Sequence, residues 1–420
     1  MQILDKIRDR NLLAISLAIF VDTLLYGIIV PVVPRYATDL GASEAQLGFI
    51  FAIYSLALLL ANIPFGLLSD RQGPRRLMIL GMFGLAVVTL LFSLAGNAAT
   101  LAVSRALQGV AAAATWTAGL ALLAAIYPRE QRGEKMGLAM AVAGAGSLAG
   151  PVLGGALFQW GGYRLPFWVA GSLALAAGFL ALTIPVTAGW KASAADLEKE
   201  SAGWRQIWTG WLGDPSLQAG TLAVLVSTIG LGMMEPLLPV HLDRRFGAGE
   251  GVIGLIFGAS TLSYIIVQPW VGRWSDRWGR EPLILTGLAS TALFFPFMGW
   301  MPGLWLEGVV IVMLGITYSL LMTPLLPLLA DSVGDPAGEG GAPYGLAFGI
   351  FNTFYSLGYL LGPVMGGVGA GLWGLPLTFA MYSFLLTGTI SLFICSRRKS
   401  RQVPDYAPNK DTCPPRQLSN

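Results

Sequence analysis

Apolar stretches long enough to cross a bilayer recur along the whole chain, and no other feature narrows the possible folds so far. A helix needs about 20 predominantly apolar residues to cross the hydrocarbon core. We read spans at roughly 11–34, 45–69, 76–95, 99–126, 135–159, 164–186, 216–240, 250–272, 282–300, 303–330, 342–369 and 373–395. Only 12% of residues are charged and 55% are hydrophobic, where a soluble domain carries about a quarter charged residues. The expected architecture is an all-α membrane protein of twelve transmembrane helices. Residues 1–186 form an N-terminal six-helix bundle and 216–395 a C-terminal one, joined by a cytoplasmic linker over 187–215 and followed by a disordered tail over 396–420. The first apolar stretch continues to Pro34 without a small-residue cleavage site, so it is expected to stay as a span.

Charge placement sets the expected orientation. Basic residues collect at Lys6, Arg8 and Arg10, at Arg71, Arg75 and Arg76, at Arg129, Arg132 and Lys135, at Arg273, Arg277 and Arg280, in the linker and in the tail. With both termini inside, these segments are all cytoplasmic, as the positive-inside rule requires. Arg35, Arg164, Arg244 and Arg245 then lie outside, and Arg105 lies within a span. Cys395 and Cys413 imply no disulfide framework, and the single His241 has no second His or Cys near it. No metal site or cofactor is expected, and an enzyme's nucleophile–base set is missing.

The chain repeats itself. Gly66-Leu-Leu-Ser-Asp70-Arg71-Gln-Gly73 recurs as Gly272-Arg-Trp-Ser-Asp276-Arg277-Trp-Gly279. Gly146-Ser-Leu-Ala-Gly150-Pro151-Val-Leu-Gly154-Gly155 recurs as Gly358-Tyr-Leu-Leu-Gly362-Pro363-Val-Met-Gly366-Gly367, and Pro31-x-x-Pro34 as Pro236-x-x-Pro239. Two parallel six-span repeats place a transport site at their interface.

The Gly-x-x-x-Asp-Arg-x-Gly loop with following basic residues resembles the signature of the major facilitator superfamily. Arg105-Ala-Leu-Gln108-Gly109 resembles its second motif, and the Gly146–Gly155 pattern resembles the motif of its drug/proton antiporters. Pro74 stands where a basic residue is usual, followed by Arg75 and Arg76. Asp22-Thr-Leu-Leu-Tyr-Gly-Ile-Ile-Val-Pro31-Val-Val-Pro34 and Met234-Glu235-Pro236-Leu-Leu-Pro239 are similar to spans of vesicular monoamine transporters and their bacterial multidrug relatives. Tyr54, Met322 and Asn352 depart from that pattern, standing where the vesicular carriers have a lysine and two aspartates. The resemblance implies the major facilitator fold and proton-coupled efflux of amphipathic, often cationic, organic molecules, with Asp22 and Glu235 in the central cavity. Transport of one metabolite is the rival reading; a membrane-embedded enzyme or a transport-dead assembly factor fits less well.

The residues themselves support a site. A charge at mid-span costs about 2.5–3.5 kcal/mol on insertion scales, so Asp22, Glu235 and Arg105 are expected to couple protons, unless Asp22 and Arg105 form a buried pair that only locks helices. Helical spacing aligns Arg105, Gln108 and Trp116, pairs Asp22 with Tyr26 and Tyr318 with Met322, and aligns Asn352 with Tyr355. With Tyr54 these form the expected substrate cavity, although packing alone also places aromatics at such spacing. Gly66, Asp70, Arg71, Gly73, Gly272, Asp276, Arg277, Gly279, Gly150, Pro151, Gly362 and Pro363 are expected to act mechanically, as cytoplasmic latches and as close helix contacts. The expected partners are a small organic substrate, protons and membrane lipid, with no nucleic acid, for a monomer in a bacterial cytoplasmic membrane.

Overall fold

The computed structural model describes residues 10–127, 129–184, 211, 214–333 and 344–401. The linker from 187 lies outside the described residues except at its end, and so does the tail from 402. Among the described residues the chain forms twelve long helices. The N-terminal six are α1 (Arg10–Asp39), α2 (Glu44–Gln72), α3 (Pro74–Phe92), α4 (Ala98–Ile126), α5 (Arg129–Gly161) and α6 (Arg164–Ala181). The C-terminal six are α7 (Pro215–Phe246), α8 (Glu250–Trp278), α9 (Arg280–Phe294), α10 (Leu304–Val333), α11 (Tyr344–Trp373) and α12 (Leu375–Arg401). Ten of them are long and apolar enough to cross a membrane by themselves. The helix α9 is shorter, and a 3₁₀ turn over Phe295–Phe297 extends it.

Local signals account for the helix ends. Ser43 caps α2 and Asn97 caps α4, each through a reciprocal capping box that satisfies free backbone donors. Asp214 accepts from the Ser216 amide before Pro215 opens α7. Gly73 and Gly279 turn α2 into α3 and α8 into α9 at φ 87° and 89°, conformations that L side chains avoid. The two signature loops therefore share a backbone as well as a sequence. Arg75 reaches from the start of α3 to the carbonyls of Ile184 (2.6 Å) and Leu182 (2.7 Å), covering the open end of α6. Arg280 does the same at α10, contacting the Pro327 carbonyl and Asp331.

Packing follows the repeat. In the N-terminal half α1 lies on α5, α2 and α3 on α4, and α6 on α3 and α1; in the C-terminal half α7 lies on α11, α8 and α9 on α10, and α12 on α9 and α7. Each half has its own buried core. The α1–α5 contact is close enough to require glycine. A Cβ at Gly150 would sit 2.6 Å from the Gly27 Cα, and its counterpart at Gly362 would sit 2.3 Å from the Ile229 carbonyl.

Between the halves α2 packs on α11, α5 on α8 and α1 on α7. These contacts tighten toward the face that carries the 40–43 and 247–249 turns, here called the far face. A Cβ at Gly48 would be 2.1 Å from the Pro363 carbonyl, and one at Gly254 would be 2.2 Å from the Pro151 carbonyl. At the opposite, near face, Gly66, Gly137, Gly272 and Gly349 on the same four helices have none of the described residues within 4 Å of that position. The far face is closed and the near face is parted.

Candidate functional site

Midway between these faces α1, α2, α4, α7 and α11 bring polar groups together inside an apolar bundle. Asp22 is 4% exposed and accepts a 2.6 Å hydrogen bond from Trp116 Nε1 on α4. One turn farther along α1, the Tyr26 hydroxyl donates to Glu235 Oε2 on α7, also at 2.6 Å. That bond joins the two halves. Tyr359 on α11 is a further polar neighbour of Glu235.

Arg105 is 0% exposed. Its Nη1 donates to Gln108 at 2.7 Å, while Nε and Nη2 have no hydrogen-bond partner among the described residues. Its guanidinium lies 4.4 Å from the ring centre of Tyr54 and 5.0 Å from those of Tyr26 and Phe51, in the range of cation–π attraction. The site therefore has two levels. Asp22 and Trp116 form the one nearer the open face, and Tyr26, Glu235 and the caged Arg105 form the one nearer the closed face.

Most of the residues picked out in sequence meet here, with different partners from those expected. Asp22 and Arg105 do not form an ion pair; Trp116 holds the carboxylate and aromatic rings hold the guanidinium. Arg105 is linked instead to Glu235, through the ring and hydroxyl of Tyr26. Tyr26 and Tyr54 have ring centres 5.1 Å apart, and Tyr355 lies 5.0 Å from Tyr359. Tyr318 and Met322 belong to the packed core of the C-terminal half, and Asn352 is exposed. Phe51 was outside the expected set, and Tyr359 joins the site through the helical face it shares with Asn352 and Tyr355. The Asp70 side chain lies outside the described residues, and Asp276 is exposed at the near face.

Two polar clusters at the far face join residues remote in sequence. Arg35 on α1 contacts Asp243 across the halves, with Asp39 at 3.3 Å and Glu250 at 4.0 Å, and Arg244 on α7 reaches Glu44 on α2 at 2.6 Å. Tyr163 donates to Asp39, and burial and that bond push its phenol up to about 12, so it remains a donor at working pH. Within the C-terminal half His241 Nε2 lies 3.2 Å from Glu307 Oε1, which also accepts the Gly299 amide at 2.9 Å.

The family model "Major Facilitator Superfamily" matches residues 15–234 and 220–416. Over 319 residues the chain is 30% identical to the mouse (Mus musculus) "MFS-type transporter SLC18B1", covering 72% of this chain and 67% of that protein. It is also 30% identical over 301 residues to a zebrafish (Danio rerio) "Probable vesicular acetylcholine transporter-B", covering 67% of this chain and 60% of that protein. A rat (Rattus norvegicus) "Synaptic vesicular amine transporter" is 28% identical over 261 residues, covering 62% of this chain and 49% of that protein. The chain thus spans between half and two thirds of the length of these curated relatives. Among solved structures, the fold is similar to that of a bacterial homologue of the human lysosomal transporter Spinster in an inward-facing, unoccupied conformation. The TM-score is 0.77 at 15% identity, covering 93% of this chain and 97% of that one. The nucleoside transporter NupG is similar with a TM-score of 0.73 at 11% identity, covering 92% and 99%.

Proposed function

Because this chain belongs to the Major Facilitator Superfamily and is a multi-pass membrane transporter rather than an enzyme, we propose that it exchanges protons for an amphipathic, often cationic, small organic molecule by alternating access. The observation that carries this reading is the pair of carboxylates within the bundle on opposite halves, Asp22 buried and Glu235 half-buried, each held by an aromatic donor between a closed face and a parted one. An ionised carboxylate in an apolar bundle is costly without a countercharge, so each favours either a proton or a cationic substrate. Competition for the same oxygens is the exchange. The aromatic walls supply ring faces for an organic cation. Arg105, already caged by rings and Gln108, supplies a fixed positive charge that disfavours simultaneous loading of proton and cation at Glu235.

The basic residues of the near-face loops favour a cytoplasmic near face, so on this reading the parted cavity opens inward, and efflux across a bacterial cytoplasmic membrane is what the resemblance to drug/proton antiporters supports. The protein acts as a monomer, and the linker over 187–215 joins two bundles that rock about the site. Glycine–proline contacts at Gly150, Pro151, Gly362 and Pro363 serve as the fulcrum. Carriage of one amine metabolite is a second reading, supported by the names of the vesicular relatives.

A substrate panel in everted membrane vesicles, scored by quenching of a pH dye, tests both. Efflux predicts proton-dependent uptake of several unrelated amphipathic cations, abolished uphill by Asp22→Asn. Flux of a single compact amine would favour the metabolite reading. Flux indifferent to the proton gradient would overturn proton exchange.

A further inference from the structure

We propose that Tyr26 is a positioning residue whose bond to Glu235 holds the far face shut until a proton or a substrate cation occupies that carboxylate. The inference rests on the reading of Glu235 as an exchange group, and it adds the device by which loading is sensed.

The Tyr26–Glu235 distance of 2.6 Å is that of a phenol donating to a carboxylate ion. Bonds of this kind are roughly twice as strong as neutral ones, so the link is strong when Glu235 is ionised and weak once its charge is neutralised. Its position gives that change leverage. Tyr26 and Arg35 lie on α1, and Glu235 and Asp243 on α7, so the central bond and the far-face ion pair fasten the same two helices. Between the two fastenings α1 contains Pro31 and Pro34, and α7 contains Pro236 and Pro239. Each proline removes a backbone hydrogen bond and loosens the intervening segment. The far ends can therefore swing about these segments when the central bond gives way.

The groups facing Glu235 assign the task to Tyr26. Tyr359 and Tyr355, both near Glu235, come from α11 in the same half and cannot tie the halves together. Tyr54 on α2 lies beside Tyr26. Arg105 on α4 sits over the Tyr26 ring at 5.0 Å, where its charge polarises the phenol and makes the hydroxyl a better donor.

The test measures the far face directly and uses protons as the only ligand. Spin labels at Ala45→Cys and Leu372→Cys, both exposed and on opposite halves, report its width in full-length protein lacking Cys395 and Cys413, held in nanodiscs. The narrow population should dominate at high pH and give way to a wide one as pH falls. Tyr26→Phe should multiply the ratio of wide to narrow by about ten-fold at high pH, the loss of one hydrogen bond to a charged group, and should flatten the pH response. Glu235→Gln should do the same, and the double variant should add nothing further, since both remove one bond.

Wild-type distances and pH response in Tyr26→Phe, or effects that add fully in the double variant, would overturn the proposal. The pH-dye assay keeps the two readings apart. Proton-coupled flux with distances unmoved by Tyr26→Phe would sink only the tie. Shifted distances with flux independent of protons would sink only the exchange.

Discussion

The helices α2, α5, α8 and α11 meet at one end and part at the other, and their glycines show how differently the two ends are built. At the far end the halves approach until backbone lies on backbone. A Cβ at Gly155 would fall 2.2 Å from the Glu250 carbonyl, and one at Gly367 would fall 2.4 Å from the Glu44 carbonyl. At the near end Gly73 and Gly279 provide positive φ in a turn, and Gly66 and Gly272 meet none of the described residues. Helix glycines at the far face therefore serve close approach between the halves and those at the near face do not, while turn glycines of positive φ occur at both faces, Gly41 and Gly247 at the far one and Gly73 and Gly279 at the near one. Close approach depends on which conformation the transporter occupies; the turn geometry does not.

Replacing a far-face glycine should break this contrast most severely. Gly155→Leu places a side chain where a carbonyl of the opposite half lies, and overpacking of about 3 kcal/mol would reduce the far-closed population by roughly a hundred-fold. Transport should fall accordingly, and labels across the far face should report the wide state. Gly137→Leu, on the same helix at the near end, should leave the thermal stability of the far-closed state unchanged. If both substitutions shifted the population alike, the contrast between the two ends would be lost.

The far-face ion pairs should contribute less. Arg35 is partly exposed and meets three carboxylates, so Arg35→Ala removes a network of solvent-screened pairs. Such pairs contribute about 0–1 kcal/mol each, which sets the expected widening of the far face at about two- to five-fold. High salt should narrow the difference between Arg35→Ala and wild type, because it weakens the pairs in the wild type alone. A widening that ignored salt would point to lost packing by the arginine stem.

The fold was legible because membrane insertion writes it into the sequence as length, apolarity and loop charge. The ends of α2, α4 and α7 carry their caps in the open, and the repeat announces that α1–α5 and α7–α11 are equivalent contacts. At the centre, Asp22, Arg105 and Glu235 stood out because charge in an apolar span is expensive. Their partners were hidden. Trp116, rather than Arg105, holds Asp22, and Tyr26 crosses to the other half, because helical periodicity says which residues share a face but not what that face meets. The same limit explains Tyr318 and Met322, whose shared face turns into the core of the C-terminal half. The Arg35 and Arg244 pairs were not legible, since they join residues on separate repeats and form where the far ends meet. His241 looked solitary in sequence, and only the packing of α7 on α10 supplies Glu307.

The smallest expected effect concerns the near-face acids, and it asks whether the parted end has a closed counterpart. Asp276 is exposed in this conformation, and so is Arg277 beside it. An exposed carboxylate at a loop contributes little where it stands, so Asp276→Asn should change the thermal stability of the far-closed protein by less than about 0.5 kcal/mol. If the near ends of α2, α5, α8 and α11 come together when the far ends part, Asp276 and its repeat partner Asp70 would meet the opposite half there, as Arg35 and Glu44 do now. The substitution then raises the energy of a state that is not the one described, slowing turnover without altering substrate affinity from the near side. A few-fold loss of turnover fits a latch of exposed charge. Asp70→Asn should behave in the same way, and the pair together should lose roughly the product of the two, provided each acid holds a separate helix junction. Equal losses in affinity and turnover would move these acids from latch to binding site.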